Sequence, residues 1–146
     1  MVIVGEWFPC EDGITRPVVE VEVPGADGTL CTERFLVDTA ADRTVFSARL
    51  RNRLCMLGNG APPGVSLKGI GGGSPYVLVS TALEFTRDDG AVVRVRSDFA
   101  AFTDATATDM SILGRDVLDI FDVITSRRHN AVLLLAGNHR YQVTSS

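Results

Sequence analysis

Phe35-Leu36-Val37-Asp38-Thr39-Ala40-Ala41-Asp42-Arg43-Thr44-Val45 sets an apolar run directly against a carboxylate, a threonine and two small residues. The run reads as the end of a strand, which delivers Asp38 to the strand's buried terminus. The small residues that follow let backbone approach closely in a tight loop. A lone aspartate in such a place is most often a turn or strand cap. Asp38 therefore gains meaning only from what surrounds it.

Working outward, Pro17 to Val23 alternates valine with glutamate, the pattern of a half-buried strand with one wet face. Pro24 to Gly28 turns the chain, and Thr29 to Val37 returns as the second strand of a hairpin. Beyond the loop, Phe46, Leu50 and Leu54 recur every four residues, which predicts a short helix over 47–57. Gly58-Asn59-Gly60 and Pro62-Pro63 stop it. A glycine-rich stretch, 64–73, precedes a strand over 76–85, a turn at 88–90 and a returning strand over 92–102. After a polar loop at 103–109, a short buried strand at 111–114 leads into a helix over 116–121, with Leu118 and Phe121 facing inward. Strands at 123–124 and 131–136 flank a turn at 127–130, and 140–143 closes the chain after a turn at 137–138. The sum is mostly β with two short helices, which predicts a small barrel or sandwich.

At 146 residues and 15.7 kDa the chain holds one domain, 1–146. Hydrophobic residues at 45% and charged residues at 22% argue against disorder. No apolar run approaches the roughly 20 residues that span a bilayer. Glu6, Glu11 and Asp12 come early and no basic-then-apolar leader precedes them, so the expected location is cytoplasmic, away from membranes. A net charge of -4 disfavours nucleic acid. The arginines at 49, 51 and 53 and at 127 and 128 read as solvated surface. Cys10, Cys31 and Cys55 show no metal-ligand spacing and read as reduced thiols, and His129 and His139 are too far apart in sequence to suggest zinc. No metal or other cofactor is expected.

Three segments together resemble one family. Asp38-Thr-Ala-Ala-Asp-Arg-Thr-Val45 is similar to the Asp-Thr-Gly-Ala-Asp-x-Thr-Val signature of the retropepsins, the retroviral-type aspartic proteases. Gly69-Ile70-Gly71-Gly72 resembles the family's flap, and Ile112-Leu-Gly-Arg-Asp-Val-Leu118 resembles its second signature, which opens the C-terminal helix. The three occur in family order at comparable spacing, across residues 35 to 121. As a phosphate loop the glycine run fails, because it lacks the Gly-Lys-Ser/Thr ending and a strand follows it.

The resemblance implies a mostly β, single-domain fold: a small closed β-barrel with a flap hairpin and a short C-terminal helix. It also implies an aspartic endopeptidase active as a homodimer, with one Asp38 from each subunit meeting at a two-fold axis. Two touching carboxylates share one proton; aspartic proteases are the standard case of this coupling. The ionised member takes a proton from water, which attacks the peptide carbonyl, while the protonated member hydrogen-bonds the carbonyl oxygen. By resemblance, Thr39 holds the paired loops across the axis, and Asp42 and Arg115 form an ion pair beneath the cleft. Gly69, Ile70, Gly71 and Gly72 fold over an extended peptide. The cleft walls are apolar in outline, which suggests hydrophobic side chains flanking the cut bond.

Two departures stand out. Ala40 replaces the family's glycine, and its cost depends on the sign of its φ. About 25 residues follow Phe121, enough for two further strands, so the dimer interface is expected in a C-terminal hairpin, with Val132 to Leu135 as its segment unless that strand packs within one subunit. The competing function is a catalytically silent dimerisation or peptide-binding module on the same fold. An unrelated β-barrel binding module requires all three matches to be coincidence.

Overall fold

The computed structural model describes residues 2–54, 59–60, 67–69, 72–104 and 110–138, with backbone alone at 59–60, 67–69 and 72–74. The elements in chain order are β1 (Val2–Val4), β2 (Glu6–Pro9), β3 (Thr15–Pro24), β4 (Leu30–Val37), β5 (Val45–Phe46), α1 (Ala48–Arg53), β6 (Asn59–Gly60), β7 (Leu67–Gly69), β8 (Gly72–Ser74), β9 (Tyr76–Thr86), β10 (Val92–Phe102), β11 (Ser111–Leu113), α2 (Arg115–Leu118), β12 (Asp122–Ser126) and β13 (Ala131–Leu135). Among the described residues no helix is long and apolar enough to cross a membrane.

Strands β3, β4, β11, β5, β10 and β9 pair in that order, and β9 returns to β3 through Glu22 and Glu84, closing a six-stranded barrel. Like charges set opposite each other repel; Arg94, the cross-strand partner of Glu84 in β10, offsets this with an ion pair at 2.6 Å. Alternation along each strand sends one set of side chains inward. Phe35, Phe46, Phe85 and Phe99 are fully buried there. Phe46 meets Phe35 edge-on at 5.7 Å and stacks with Phe99 at 5.4 Å. Each such ring buries enough apolar surface that truncation to alanine costs about 3–5 kcal/mol.

The hairpin of β3 and β4 and that of β9 and β10 form where the strand and turn signals of the sequence predict them. The first helix differs. Phe46 belongs to β5, and Ser47 caps α1 by accepting the Leu50 N–H at 3.0 Å, so the helix starts at Ala48, one residue after the predicted start. It ends at Arg53, with Leu54 as its C-cap; residues 55–57 lie outside the described set. Likewise α2 runs from Arg115 to Leu118 and gives way to turn before Phe121. The strand expected at 140–143 lies outside the described residues.

A second, three-stranded sheet has the order β1, β13, β12. Both edges of β13 are hydrogen-bonded within the chain, so Val132 to Leu135 packs within the subunit and has no free backbone edge. Val132 and Leu134 point into the core. On the sheet's other face, Val4, Leu133 and Ile124 stand in register, with Val4 62% exposed. Trp7 ties this sheet to the barrel: its Nε1 donates to the carbonyls of Ser126 and Ala131 at 3.2 Å each, and Arg127 lies over its ring.

Candidate active site

Asp38 follows the last residue of β4, half-buried, at the start of a loop that ends at β5. Its Oδ1 accepts the Ala40 N–H at 3.0 Å, and its carbonyl accepts the Ala41 N–H at 3.2 Å, which curls the loop tightly around the carboxylate. The loop is then tied to the β11–α2 junction by main chain. Asp38 N–H donates to the Leu113 carbonyl at 3.2 Å, Arg115 N–H to that of Ala41 at 2.8 Å, and Asp116 N–H to that of Asp42 at 3.2 Å. Residues far apart in sequence thus fix the direction of one carboxylate.

Thr44 and Asp116 complete the tie, and sequence reasoning gave neither that role. Thr44 is fully buried. Its N–H and Oγ1–H both donate to Asp116 Oδ1, at 2.8 and 2.7 Å, while its Oγ1 accepts the Gly114 N–H at 3.0 Å. The second threonine of Asp38-Thr-Ala-Ala-Asp-Arg-Thr44 was the available signal, but its partner is 72 positions away.

The Asp42–Arg115 pair forms, at 2.7 Å, through a single nitrogen, with both side chains largely exposed. Water screens such a pair heavily, so it adds little to stability. The backbone ties and Thr44 hold the loop within one subunit. Thr39 and Ala40 are exposed on it. Asn130 is the only non-glycine residue with positive φ among those described, so Ala40 carries no left-handed strain. Of the expected flap, Gly69 and Gly72 face each other as the last pair of the β7–β8 hairpin; Ile70 and Gly71, between them, lie outside the described residues.

Beside the loop, Leu36, Ile112, Val45, Ala100 and Leu78 stand in cross-strand register on β4, β11, β5, β10 and β9. They lie on the face opposite the barrel core, where Val45, Ala100 and Tyr76 pack with Leu78 and Phe102 as a separate cluster. The row begins two residues before Asp38. At that end opens a cavity of about 610 Å³, with Phe8, Leu36, Met110 and Ile112 in its wall. Glu11, Asp12, Arg16, Glu33, Arg34 and Arg49 share its lining. A smaller hollow of about 350 Å³ lies by Asp42, Arg43, Asp98 and Asp116. Among the described residues, no group of three or more histidine, cysteine or carboxylate side chains is placed to hold a metal ion.

This architecture has solved counterparts. A retropepsin-like aspartic protease from Rickettsia conorii is similar over 92% of this chain and 90% of its own, with a TM-score of 0.58 and 13% sequence identity. The fold is retropepsin-like. EIAV protease bound to an inhibitor is also similar, at 25% identity over 71% of this chain and 86% of its own, with a TM-score of 0.48. No family profile and no curated protein sequence matches the chain. Within the retropepsin-like fold, the Asp38 loop occupies the junction of β4, β5, β11 and α2, and the apolar row runs away from it across five strands.

Proposed function

We propose that this chain is a single-domain aspartic endopeptidase that works as a homodimer. The observation that carries the reading is the Asp38 loop: a half-buried carboxylate, braced by main-chain bonds to Leu113 and Arg115, next to an in-register apolar row on a retropepsin-like barrel. Hydrolysis without a covalent intermediate needs a base for water and an acid for the carbonyl oxygen. Asp42, the other carboxylate of the loop, is paired with Arg115, so one subunit offers half of the machinery. A second copy supplies the second Asp38. Contact between the two keeps one proton on the pair. The ionised Asp38 deprotonates water for attack, and the protonated one donates to the oxygen that becomes tetrahedral. Thr39 bridges the two loops, and Gly69 to Gly72 covers the extended peptide. The exposed Val4, with Leu133 and Ile124 beside it, makes the outer face of the terminal sheet the dimer contact of this proposal.

The test is cleavage of a mixed peptide library from pH 3 to 8 by wild type and Asp38→Asn, with products read by mass and oligomeric state checked in the same samples. Cleavage by wild type alone, fading at the pH values where the pair loses or gains its proton, is the expected result. Silence from both dimeric proteins favours a peptide-binding module. Equal cleavage by both rejects the mechanism.

A further inference from the structure

We propose that Arg43 and Asp98 form a subsite for a carboxamide, so that substrates with glutamine or asparagine near the cut bond are favoured; the inference rests on the peptidase reading above. Arg43 stands two residues before Val45, and Asp98 two residues before Ala100, the partner of Val45 in the apolar row. Alternation puts both side chains on the outward face that Val45 and Ala100 share, while the intervening Thr44 and Phe99 are buried. Arg43 and Asp98 are exposed there and line the smaller hollow, of about 350 Å³, whose wall also includes Ala100.

The two charges do not satisfy each other. Among the described residues neither side chain has an ion pair or a hydrogen bond. The other carboxylates of the hollow are in use. Asp42 pairs with Arg115 at 2.7 Å, and Asp116 Oδ1 accepts the Thr44 N–H and hydroxyl at 2.8 and 2.7 Å. The hollow therefore offers a donor, the Arg43 guanidinium, beside an acceptor, the Asp98 carboxylate. A carboxamide matches both within one group: its oxygen accepts from Arg43 and its NH2 donates to Asp98, each as a charge-assisted hydrogen bond. A carboxylate ligand meets like charge at Asp98, and an ammonium meets like charge at Arg43. An apolar side chain strips water from both charges and replaces none of it.

The hollow is held close to the candidate catalytic carboxylate. Arg43 belongs to the Asp38 loop, and Gly114 lies between the two. Leu113, just before it, takes the Asp38 N–H at 3.2 Å, and a Cβ on Gly114 would strike the Arg43 main chain. At about 4.8 Å per strand spacing, Arg43 lies roughly 10 Å across the face from Asp38, and Asp98 roughly 14 Å. An extended peptide covers that range in about three to four residues. Because Ala100 belongs to both the row and the hollow, a peptide lying on the row presents a side chain at that separation to Arg43 and Asp98.

The test uses fluorescent decapeptides in which glutamine, glutamate, lysine or leucine is stepped through every position of one apolar sequence. Binding to Asp38→Asn protein is read by anisotropy, and cleavage is read with wild type. At one position glutamine is expected to bind about tenfold tighter than leucine, with glutamate and lysine both weaker than glutamine. Joint substitution, Arg43→Met with Asp98→Ala, erases that preference, and Arg43→Glu turns it toward lysine at the same position. A glutamine preference that survives the joint substitution overturns the inference, as does a wild-type preference for lysine or glutamate there, no preference at any position, or no binding of any peptide. A preference in binding that depends on Arg43 and Asp98, without any cleavage, sinks the peptidase reading and leaves the subsite standing. Cleavage without the preference does the reverse.

Discussion

The backbone of Gly114 rests directly on that of Arg43. A Cβ at position 114 would lie 2.3 Å from the Arg43 carbonyl carbon and 2.4 Å from its oxygen, closer than non-bonded atoms tolerate. The φ of Gly114 is -98°, ordinary for any residue, so glycine is required here for space and not for conformation. This contact lets the β11–α2 junction press against the loop that starts at Asp38.

Gly114→Ala is therefore expected to destabilise the fold by about 1–3 kcal/mol through overpacking against main chain that cannot swing away. The loop shift should lower peptidase activity by about 100-fold, because a displacement near 1 Å at the reacting groups is enough. Urea unfolding beside a cleavage assay separates the two effects. An alanine variant with wild-type stability and activity would show that the contact does not constrain the loop.

Asp116 offers a second lever. Asp116→Ala leaves the buried Thr44 N–H and hydroxyl without their acceptor, an expected loss of about 1–3 kcal/mol. Asp116→Asn keeps an Oδ1 acceptor and should lose much less. Equal losses in both variants, measured by denaturant midpoint, would mean that the charge of Asp116 matters more than its hydrogen bonds.

Ala40 carries negative φ, so restoring the glycine seen in the retropepsin signature relieves no strain. Ala40→Gly instead adds freedom to the unfolded chain and is expected to lower stability by about 0.4–1 kcal/mol. Thermal unfolding checks the sign. A stabilised glycine variant would reveal crowding around the Ala40 methyl group, most simply from a partner loop.

The Arg16 guanidinium, joined by the Ile14 N–H, holds the exposed Asp12 carboxyl down at about 2, from an ordinary 3.8. Because the folded value is the lower one, the ion pair contributes above pH 3.8, and that contribution fades as pH falls toward 2. An NMR titration of the Asp12 carboxyl is expected to show a midpoint near 2, returning toward 3.8 in Arg16→Gln. An unchanged midpoint in that variant would assign the shift to the Ile14 N–H.

How far the site was legible depended on whether its signal was local. Asp38, its flanking threonine and alanines, and the Arg115 that meets Asp42 lie in two contiguous motifs, each readable as a string. Thr44, Asp116 and Gly114 stand in the same motifs, yet their roles exist only where the two strings touch. Phe46 shares the four-residue spacing of Leu50 and Leu54 yet belongs to β5, because that spacing is also met by a strand that ends in a helix cap. The short strands β1 and β2 went unread, since three or four residues carry too little periodicity to register alone.

By itself the sequence determined the β class, the long hairpins and the identity of the candidate carboxylate, because alternation, turn residues and a motif are properties of neighbouring residues. Tertiary structure decided the rest: closure of the barrel through Glu22 and Glu84, the central place of β13 with both edges filled, and the apolar row from Leu36 to Leu78. It also set Arg43 and Asp98 side by side on the outward face, in the wall of one hollow. Each of these is a register between distant strands, and register is set by which faces bury together, a condition that no single segment contains.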